Sequence, residues 1–366
     1  MTDKRIDDRY ATDEKYTTLR GIHEDARRHL SEIDWNFLWC GTGEEVTARD
    51  NVAAFDRYRF VTPLFAGISK PDTRTNVLGF DLSFPAFIAP FGEEAVFHPE
   101  GHLAIGRAAE SAGIQQMVPV AASYSLEEIA AASSVASVFQ MTFVGEEDAA
   151  IDMMERARAA GYKYICVTYS PIRQWRERMM EDRFSIRGKK GNPNFGPGLS
   201  DPAALLELLE FTEPRWSWKQ AARAISRAPL PCIVKGVQST DDAKASLDAG
   251  AIGLYVSNYG GRTMDRTPAA LDLLPDIRRA AGPDVPIIFD SGIRRGSDIA
   301  TALALGADAV ALGRLIALAL AADGEHGVRR TLELLQREFW TTLGHLGCSS
   351  VEDLDESVLY TAQSGT

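Results

Sequence analysis

Residues 230–259 read LPCIVKGVQSTDDAKASLDAGAIGLYVSNY. An apolar run at 230–237 leads into DDAKASLDAG, which has acids in its first turn and ends at Gly250; a second apolar run, GLYVSNY, occupies 253–259. Short runs of near-continuous hydrophobicity suit parallel strands buried on both faces. Acids at the start and glycine at the end suit a helix between them. The stretch is one strand–helix–strand unit, and the same beat continues on both sides. Upstream lie FPAFIAP (84–90), GIQQMVPV (113–120), SVFQMTF (137–143) and YICVTY (164–169); downstream lie VPIIFDSG (285–292) and AVALGR (309–314). The intervening stretches are helical in pattern: LEEIAAAS behind Ser125 as N-cap, PAALDLLPDIRRAAG and SDIATALALGA. Eight such units in order predict an α/β fold of the (β/α)8 TIM-barrel class. A doubly wound open sheet is the competing reading, and the count of eight argues against it.

The rest of the chain sets the bounds. It has 366 residues, 45% of them hydrophobic and 25% charged, with 39 Lys+Arg against 51 Asp+Glu for a net charge of −12. That balance argues against nucleic-acid or anionic-membrane partners, while leaving room for a local basic pocket. No apolar run approaches the roughly 20 residues of a membrane span, and the polar N-terminus has no signal-peptide core. Cys40, Cys166, Cys232 and Cys348 lack metal-type spacing, and two of them sit in strand-like runs as small hydrophobes. A reduced, cytoplasmic protein without a disulfide framework is expected.

Two departures from a minimal barrel stand out. Residues 1–83 precede the first barrel strand and are expected to cap the barrel's bottom with helices and a hairpin (NVLGFDLSF). The barrel would occupy 84–350, with a tail at 351–366. Residues 170–216, containing RGKKGNPNFGPGLSDP, form a long loop after strand four, expected to be an active-site lid that is mobile until ligand binds. Within it RERMMEDRF reads as a solvated helix end or lid segment.

Function in such a barrel belongs to the C-terminal ends of the strands. Strand seven ends Asp290-Ser291-Gly292-Ile293-Arg294 and strand eight Gly313-Arg314. Glycines let backbone N–H groups approach a phosphate, and the arginines add charge-assisted hydrogen bonds; ordinary turn glycines with solvated arginines are the plainer reading. Lys235 in CIVKGV is costly to bury without an anionic or electron-rich partner, unless it snorkels to solvent. Strand six runs into Ser257-Asn258-Tyr259-Gly260-Gly261-Arg262, placing a phenol and a guanidinium on one tight turn. His98 and His102 have i,i+4 spacing, but Pro99 and Gly101 disfavour the helix a zinc site needs, so no metal is expected.

IAP, HPEG, FQM, VKGV, SNxGGR, DSGIRRG, ALALGA and LGR occur in this order over residues 35–350. In this the chain resembles the FMN-dependent 2-hydroxyacid oxidases and dehydrogenases, a group including glycolate oxidase, lactate oxidase, lactate monooxygenase and mandelate dehydrogenase. The resemblance implies FMN at the barrel's C-terminal mouth, held by Ala89, Pro90, Gln140, Thr168, Lys235, Ser257, Asp290, Gly292, Arg294, Gly313 and Arg314. It also implies a homo-oligomer, tetramer or octamer, and a small-molecule substrate. Tyr259, Lys235 and Arg262 would be catalytic, and Arg176, Phe37, Phe91, Ala121 and Thr142 would surround the substrate. The family's catalytic histidine position is Tyr259, its N-terminal carboxylate-binding tyrosine is Phe37, and the tyrosine after the strand-three Gln is Thr142. Where many members carry a bulky aromatic after strand two, Ala121 and Ala122 stand here, and Phe91 takes a usually small position.

These substitutions change the expected chemistry. A phenol with a reference pKa near 10 is ionised in only about one molecule per thousand at pH 7. Acting as a base would cost it roughly 4 kcal/mol. The expected function is an FMN-dependent oxidoreductase with non-standard proton transfer through Tyr259. Its substrate would be larger than lactate and hydroxy- or amino-bearing, with an anionic or carbonyl group on Arg262. A flavoenzyme for net non-redox isomerisation or elimination, or an FMN-binding scaffold without turnover, are the alternatives.

Overall fold

Each of the eight apolar runs forms a strand in the computed structural model, which describes residues 15–143, 146–169, 174–184, 193–195 and 216–361. They are β1 (Ala86–Ile88), β2 (Gln115–Pro119), β3 (Ala136–Thr142), β4 (Tyr164–Thr168), β5 (Cys232–Val237), β6 (Gly253–Val256), β7 (Ile287–Phe289) and β8 (Ala309–Leu312). All neighbours are parallel and follow sequence order. The barrel closes where β8 pairs with β1, Val310 opposite Ala86 and Leu312 opposite Ile88. This settles the (β/α)8 barrel over the open sheet.

Among the described residues three α-helices precede the barrel: α1 (Leu19–His29), α2 (Glu32–Trp39) and α3 (Val46–Ala53). Around it run α4 (Gly101–Ser111), α5 (Leu126–Ala132), α6 (Glu147–Ala159), α7 (Glu177–Glu181), α8 (Trp218–Arg227), α9 (Thr240–Asp248), α10 (Ala270–Ala281), α11 (Gly296–Ala304) and α12 (Arg314–Leu346). Ser125 caps α5 in a reciprocal box with Glu128, as its sequence position predicts. The long α12 is broken at Asp323–Gly324, where φ and ψ leave the helical region.

Strand alternation divides the core in two. Outward residues such as Phe139, Ile165, Val234, Leu254 and Phe289 pack under the helices. Inward residues, among them Phe87, Met117, Val138, Cys166, Ile233, Tyr255 and Ile288, fill the barrel. Two positions further along the same inward face come Gln140, Thr168, Lys235, Ser257 and Asp290. The pleat that builds the apolar plug therefore also aims a polar ring at the C-terminal mouth. The four cysteines are buried and free, and burial pushes the Cys166 and Cys232 thiols up to about 12.

The other end is closed by the expected hairpin, Thr75–Val77 paired with Phe80–Leu82. Val77, Leu78 and Leu82 join the interior cluster, and the Tyr164 hydroxyl donates to the Leu78 carbonyl at 2.6 Å. Helices α2 and α3 depart from the expected bottom cap. The last carbonyls of α2 lie at the mouth, where Arg262 and Arg314 bind them. Asn51 of α3 exchanges side-chain amide hydrogen bonds with Asn258 after β6, each 2.8 Å. The expected tail is also revised, because Leu359–Thr361 pairs antiparallel with Tyr58–Phe60. Among the described residues no helix is long and apolar enough to cross a membrane.

Removing the Tyr164 hydroxyl (Tyr164→Phe) leaves the Leu78 carbonyl without its side-chain donor. We expect a stability loss of about 1–2 kcal/mol, read as a lower urea midpoint with an unchanged slope and unchanged chemistry at the far end of the barrel.

Candidate active site

At the mouth Lys235 is 6% exposed, so it turns inward and does not snorkel. Its ammonium donates to Ser257 Oγ at 2.9 Å and lies 3.3 Å from Asp290 Oδ2. Ser257 in turn donates to Asp290 Oδ1 at 2.5 Å, and Tyr255 donates to Asp290 Oδ2 at 2.8 Å. Burial and the Asp290 charge push the Tyr255 phenol well above its ordinary range, so it stays protonated as a donor. The rings of Tyr255 and Tyr259 face the ammonium at 4.5 and 4.7 Å. On the neighbouring strands, Gln140 donates to Thr168 Oγ1 at 2.9 Å.

The turn after β6 carries unusual backbone. Tyr259 has φ 58°, and Ser291 across from it has φ 89°. Both are fixed by hydrogen bonds: Tyr259 N–H donates to Ser257 Oγ at 3.0 Å, and Gly260 N–H to Ser291 Oγ at 3.1 Å. Left-handed non-glycine residues held this way cluster at functional sites. The Tyr259 ring folds over β5, and its hydroxyl donates to the Tyr169 carbonyl at 3.1 Å. That fold requires glycine at 236, where a β-carbon would lie 2.1 Å from the Tyr259 hydroxyl oxygen.

A cavity of about 730 Å³ opens above this ring. Its walls include Ala89, Pro90, Gln140, Thr168, Lys235, Asp290, Gly292, Arg294, Gly313 and Arg314 from the expected cofactor set. Tyr259, Arg262, Arg176, Phe37, Phe91, Ala121 and Thr142 line it as well. Ser257 does not. It is fully buried beneath Lys235 and Asp290, so its role is to position them.

One end of the cavity suits a phosphate. Arg314 is pushed down to about 10, first by burial and then by the Arg294 charge. Arg294 is lowered too, by burial. Two desolvated guanidiniums, one of them depressed by the other's charge, call for an anion. Gly292, with φ 98°, passes so close to α3 that a β-carbon there would meet the Asn51 carbonyl at 2.0 Å. Gly313 stands at the start of α12, which has no side-chain cap, leaving N–H groups for an anionic ligand. These residues fit the FMN phosphate, and Gln140, Thr168 and Lys235 fit the polar edge of its ring.

The other end is aromatic and cationic. Phe37 stacks on Phe184 with centroids 4.4 Å apart and planes within 6°, and on Phe97 at 5.8 Å. The Arg176 and Arg262 guanidiniums lie 5.5 and 5.7 Å from the same Phe37 ring. Arg262 is aimed by the Phe37 and Leu38 carbonyls, at 2.8 and 2.6 Å. RERMMEDRF is thus no solvated end. Arg178 makes a double contact to Glu45 at 2.7 and 2.9 Å, and Phe184 builds the wall. Sequence reasoning also missed Phe195 and Met153, which line the cavity, because nothing local marks a residue of a long excursion or a helix flank as a cavity wall. Of the expected lid, residues 170–173, 185–192 and 196–215 lie outside the described residues. His102, fully buried, is bonded to the Phe91 carbonyl and the Gln116 amide. None of the six histidines lines the cavity.

Comparison with known proteins agrees with this geometry. The model of the FMN-dependent dehydrogenase family matches residues 26–361. An L-lactate oxidase from Nostoc sp. is 36% identical, covering 92% of this chain and 95% of the relative. Glycolate oxidase 1 from Oryza sativa subsp. indica is 34% identical, covering 92% and 93%. The crystal structure of mandelate oxidase with (S)-4-hydroxymandelic acid superposes with TM-score 0.88 at 32% identity, over 96% of this chain and all of the other. The chain belongs to the FMN-dependent dehydrogenase family and uses FMN.

The purified protein is expected to be yellow, with about one FMN per chain. Replacing Arg294 and Arg314 together by Ala removes both charge-assisted phosphate contacts and should strip most of the flavin, measured as the absorbance ratio of flavin to protein after gel filtration.

Proposed function

We propose that this member of the family oxidises a 2-hydroxy acid larger than lactate, with the hydroxyl proton handled by Tyr259 where a histidine would be expected. One observation carries the reading: Lys235, Tyr259, Arg262 and Arg176 surround a single cavity whose far end is built for a phosphate. FMN, when bound, supplies the two-electron acceptor for the substrate's hydride. Lys235, fixed by Ser257 and Asp290, presents a cation where negative charge grows during reduction.

Arg176 and Arg262, both beside the Phe37 ring, hold the acid group. Phe37 adds an apolar ring and no hydroxyl, so the guanidiniums carry the acid's recognition. Their spacing from the ring leaves the remainder of the substrate against aromatic and thioether surface. That favours a bulky acid over a two- or three-carbon one.

In the resting site the Tyr259 hydroxyl donates to the Tyr169 carbonyl; it takes up the substrate's hydroxyl proton only as the phenolate, having first released its own proton to solvent. A hydroxyl oxygen keeps acceptor capacity while it donates, so Tyr259 can receive the substrate hydroxyl's hydrogen bond and orient it. As a base near neutral pH a phenol is far weaker than an imidazole. The support for larger substrates comes from Thr142, Ala121 and Phe37, which line the cavity where the family resemblance implies bulkier or hydroxylated residues.

Under anaerobic mixing, glycolate and lactate should reduce the flavin at least about a thousandfold more slowly than they do in a histidine-bearing relative. Tyr259→Phe should abolish reduction by the preferred substrate while flavin content is retained. Rapid reduction by lactate in the wild type would overturn the proton argument, and full activity in Tyr259→Phe would show that Tyr259 handles no proton.

A further inference from the structure

We propose that Trp39 is a positioning residue for the flavin's phosphate: its indole face holds Arg294 and its carbonyl holds Arg314, so that both guanidiniums are in place for one anion. The inference rests on assigning that end of the cavity to the FMN phosphate. It adds which residue behind the arginines sets the affinity, for Trp39 itself does not line the cavity.

Trp39 is the last residue of α2. Trp35 and Trp39, four residues apart, share one face of that helix, and their rings stack with centroids 5.5 Å apart and planes within 19°. His23 of α1 makes T-shaped contacts with both, 5.2 Å from Trp39 and 5.3 Å from Trp35. The Arg27 guanidinium lies 5.0 Å from the Trp35 ring. The indole of Trp39 is therefore braced by α1 and by its own helix. Phe37, between the two tryptophans in sequence, serves the opposite end of the cavity, so α2 furnishes both ends.

The Arg294 guanidinium lies 5.2 Å from the Trp39 ring centroid and donates to the Ile293 carbonyl at 2.8 Å. The carboxylate that offsets its charge, Asp298, accepts from the backbone N–H groups of Arg294 and Arg295 at 2.8 and 2.9 Å. The guanidinium itself packs on the indole, whose electron-rich face attracts a cation most where water is excluded. Arg314 donates to the Trp39 carbonyl at 3.3 Å and to the Gly260 carbonyl at 2.7 Å. A β-carbon on Gly260 would lie 2.6 Å from the Arg314 nitrogen, so the turn after β6 needs glycine there for Arg314 to reach it.

Two like charges in a desolvated pocket repel, as the lowering of Arg314 by the Arg294 charge shows. Without restraint they would turn apart. Held by Trp39 and by the Ile293 and Gly260 carbonyls they are already placed, and a phosphate bound there loses less ordering free energy. Riboflavin, the same flavin without the phosphate, gains nothing from this arrangement.

The test uses the holoprotein, dialysed to equilibrium against mixtures of FMN and riboflavin. The bound flavins are extracted and separated by chromatography, and their ratio relative to the free ratio is the phosphate selectivity. Arg294→Ala should lower that selectivity at least about tenfold by removing a charge-assisted contact. Trp39→Leu, which keeps apolar bulk without a π face, should lower it about tenfold, and Trp39→Phe, with a smaller face, about threefold. General loosening of the fold cancels in a ratio, and bound flavin of either kind reports a folded protein. If Trp39→Leu yields no flavin-bearing protein, Trp39→Phe alone decides. Wild-type selectivity in the deciding Trp39 variant, with selectivity lost in Arg294→Ala, would overturn the role of Trp39 and leave the phosphate end standing. Equal losses in the two Trp39 variants would show that bulk and not the π face holds Arg294, and would overturn it as well. Unchanged selectivity in Arg294→Ala would overturn the phosphate end and the inference together.

Discussion

An ammonium buried at the end of a barrel strand has to be matched by a carboxylate, and most of the mouth is arranged around that requirement. Lys235 meets Asp290 across β6, with Ser257 on the intervening strand bonded to both. Breaking such a pair from one side strands a charge in a low-dielectric interior, which costs several kcal/mol. Parallel neighbours in unbroken order are what bring the ends of β5, β6 and β7 into line, so the barrel's closure and the site's electrostatics are the same constraint. The Tyr255 phenol, kept protonated by burial beside Asp290, completes the carboxylate's set of donors.

The N-terminal segment is fastened to this mouth by the same chemistry that would bind a ligand. Helix α2 ends with carbonyls that have no helical partner, and Arg262 and Arg314 reach them at 2.6–3.3 Å. The arginines are thereby aimed, and the helix brings Phe37 over the cavity as a platform for Arg176 and Arg262. A segment that looks in sequence like a preamble to the barrel is a wall of its active site. The strand at Leu359–Thr361 anchors the same segment from the other terminus.

Tyr259 shows how a bulky side chain is accommodated at the mouth. Its phenol ring folds back across β5 because position 236 has no β-carbon. The result is a hydroxyl committed to the Tyr169 carbonyl and a ring against the Lys235 ammonium. The proton handling proposed for Tyr259 would thereby be coupled to the electrostatics of Lys235 through one side chain.

Several features were determined by sequence alone, because they are periodic or local. The eight apolar runs required buried parallel strands, Lys235 stood out as a charge within one of them, and the glycine–arginine turns marked an end suited to a phosphate, whereas Gln140 and Thr168 were legible only through the family resemblance. Ser125 before its Glu128 fixed the start of α5. Other features were decided only in three dimensions, because they depend on residues far apart in the chain. Ser257 turned beneath its neighbours, since its hydroxyl is needed between Lys235 and Asp290. RERMMEDRF became a wall, since Arg178 found Glu45 and Phe184 found Phe37. Helices α2 and α3 went to the mouth, since their free carbonyls and Asn51 had partners there. Asn194 carries no local signal, and only in the fold does its side-chain amide meet the Val120 carbonyl and Leu126 N–H while its backbone carbonyl accepts from Arg156 of α6, which gives its neighbour Phe195 a place in the cavity.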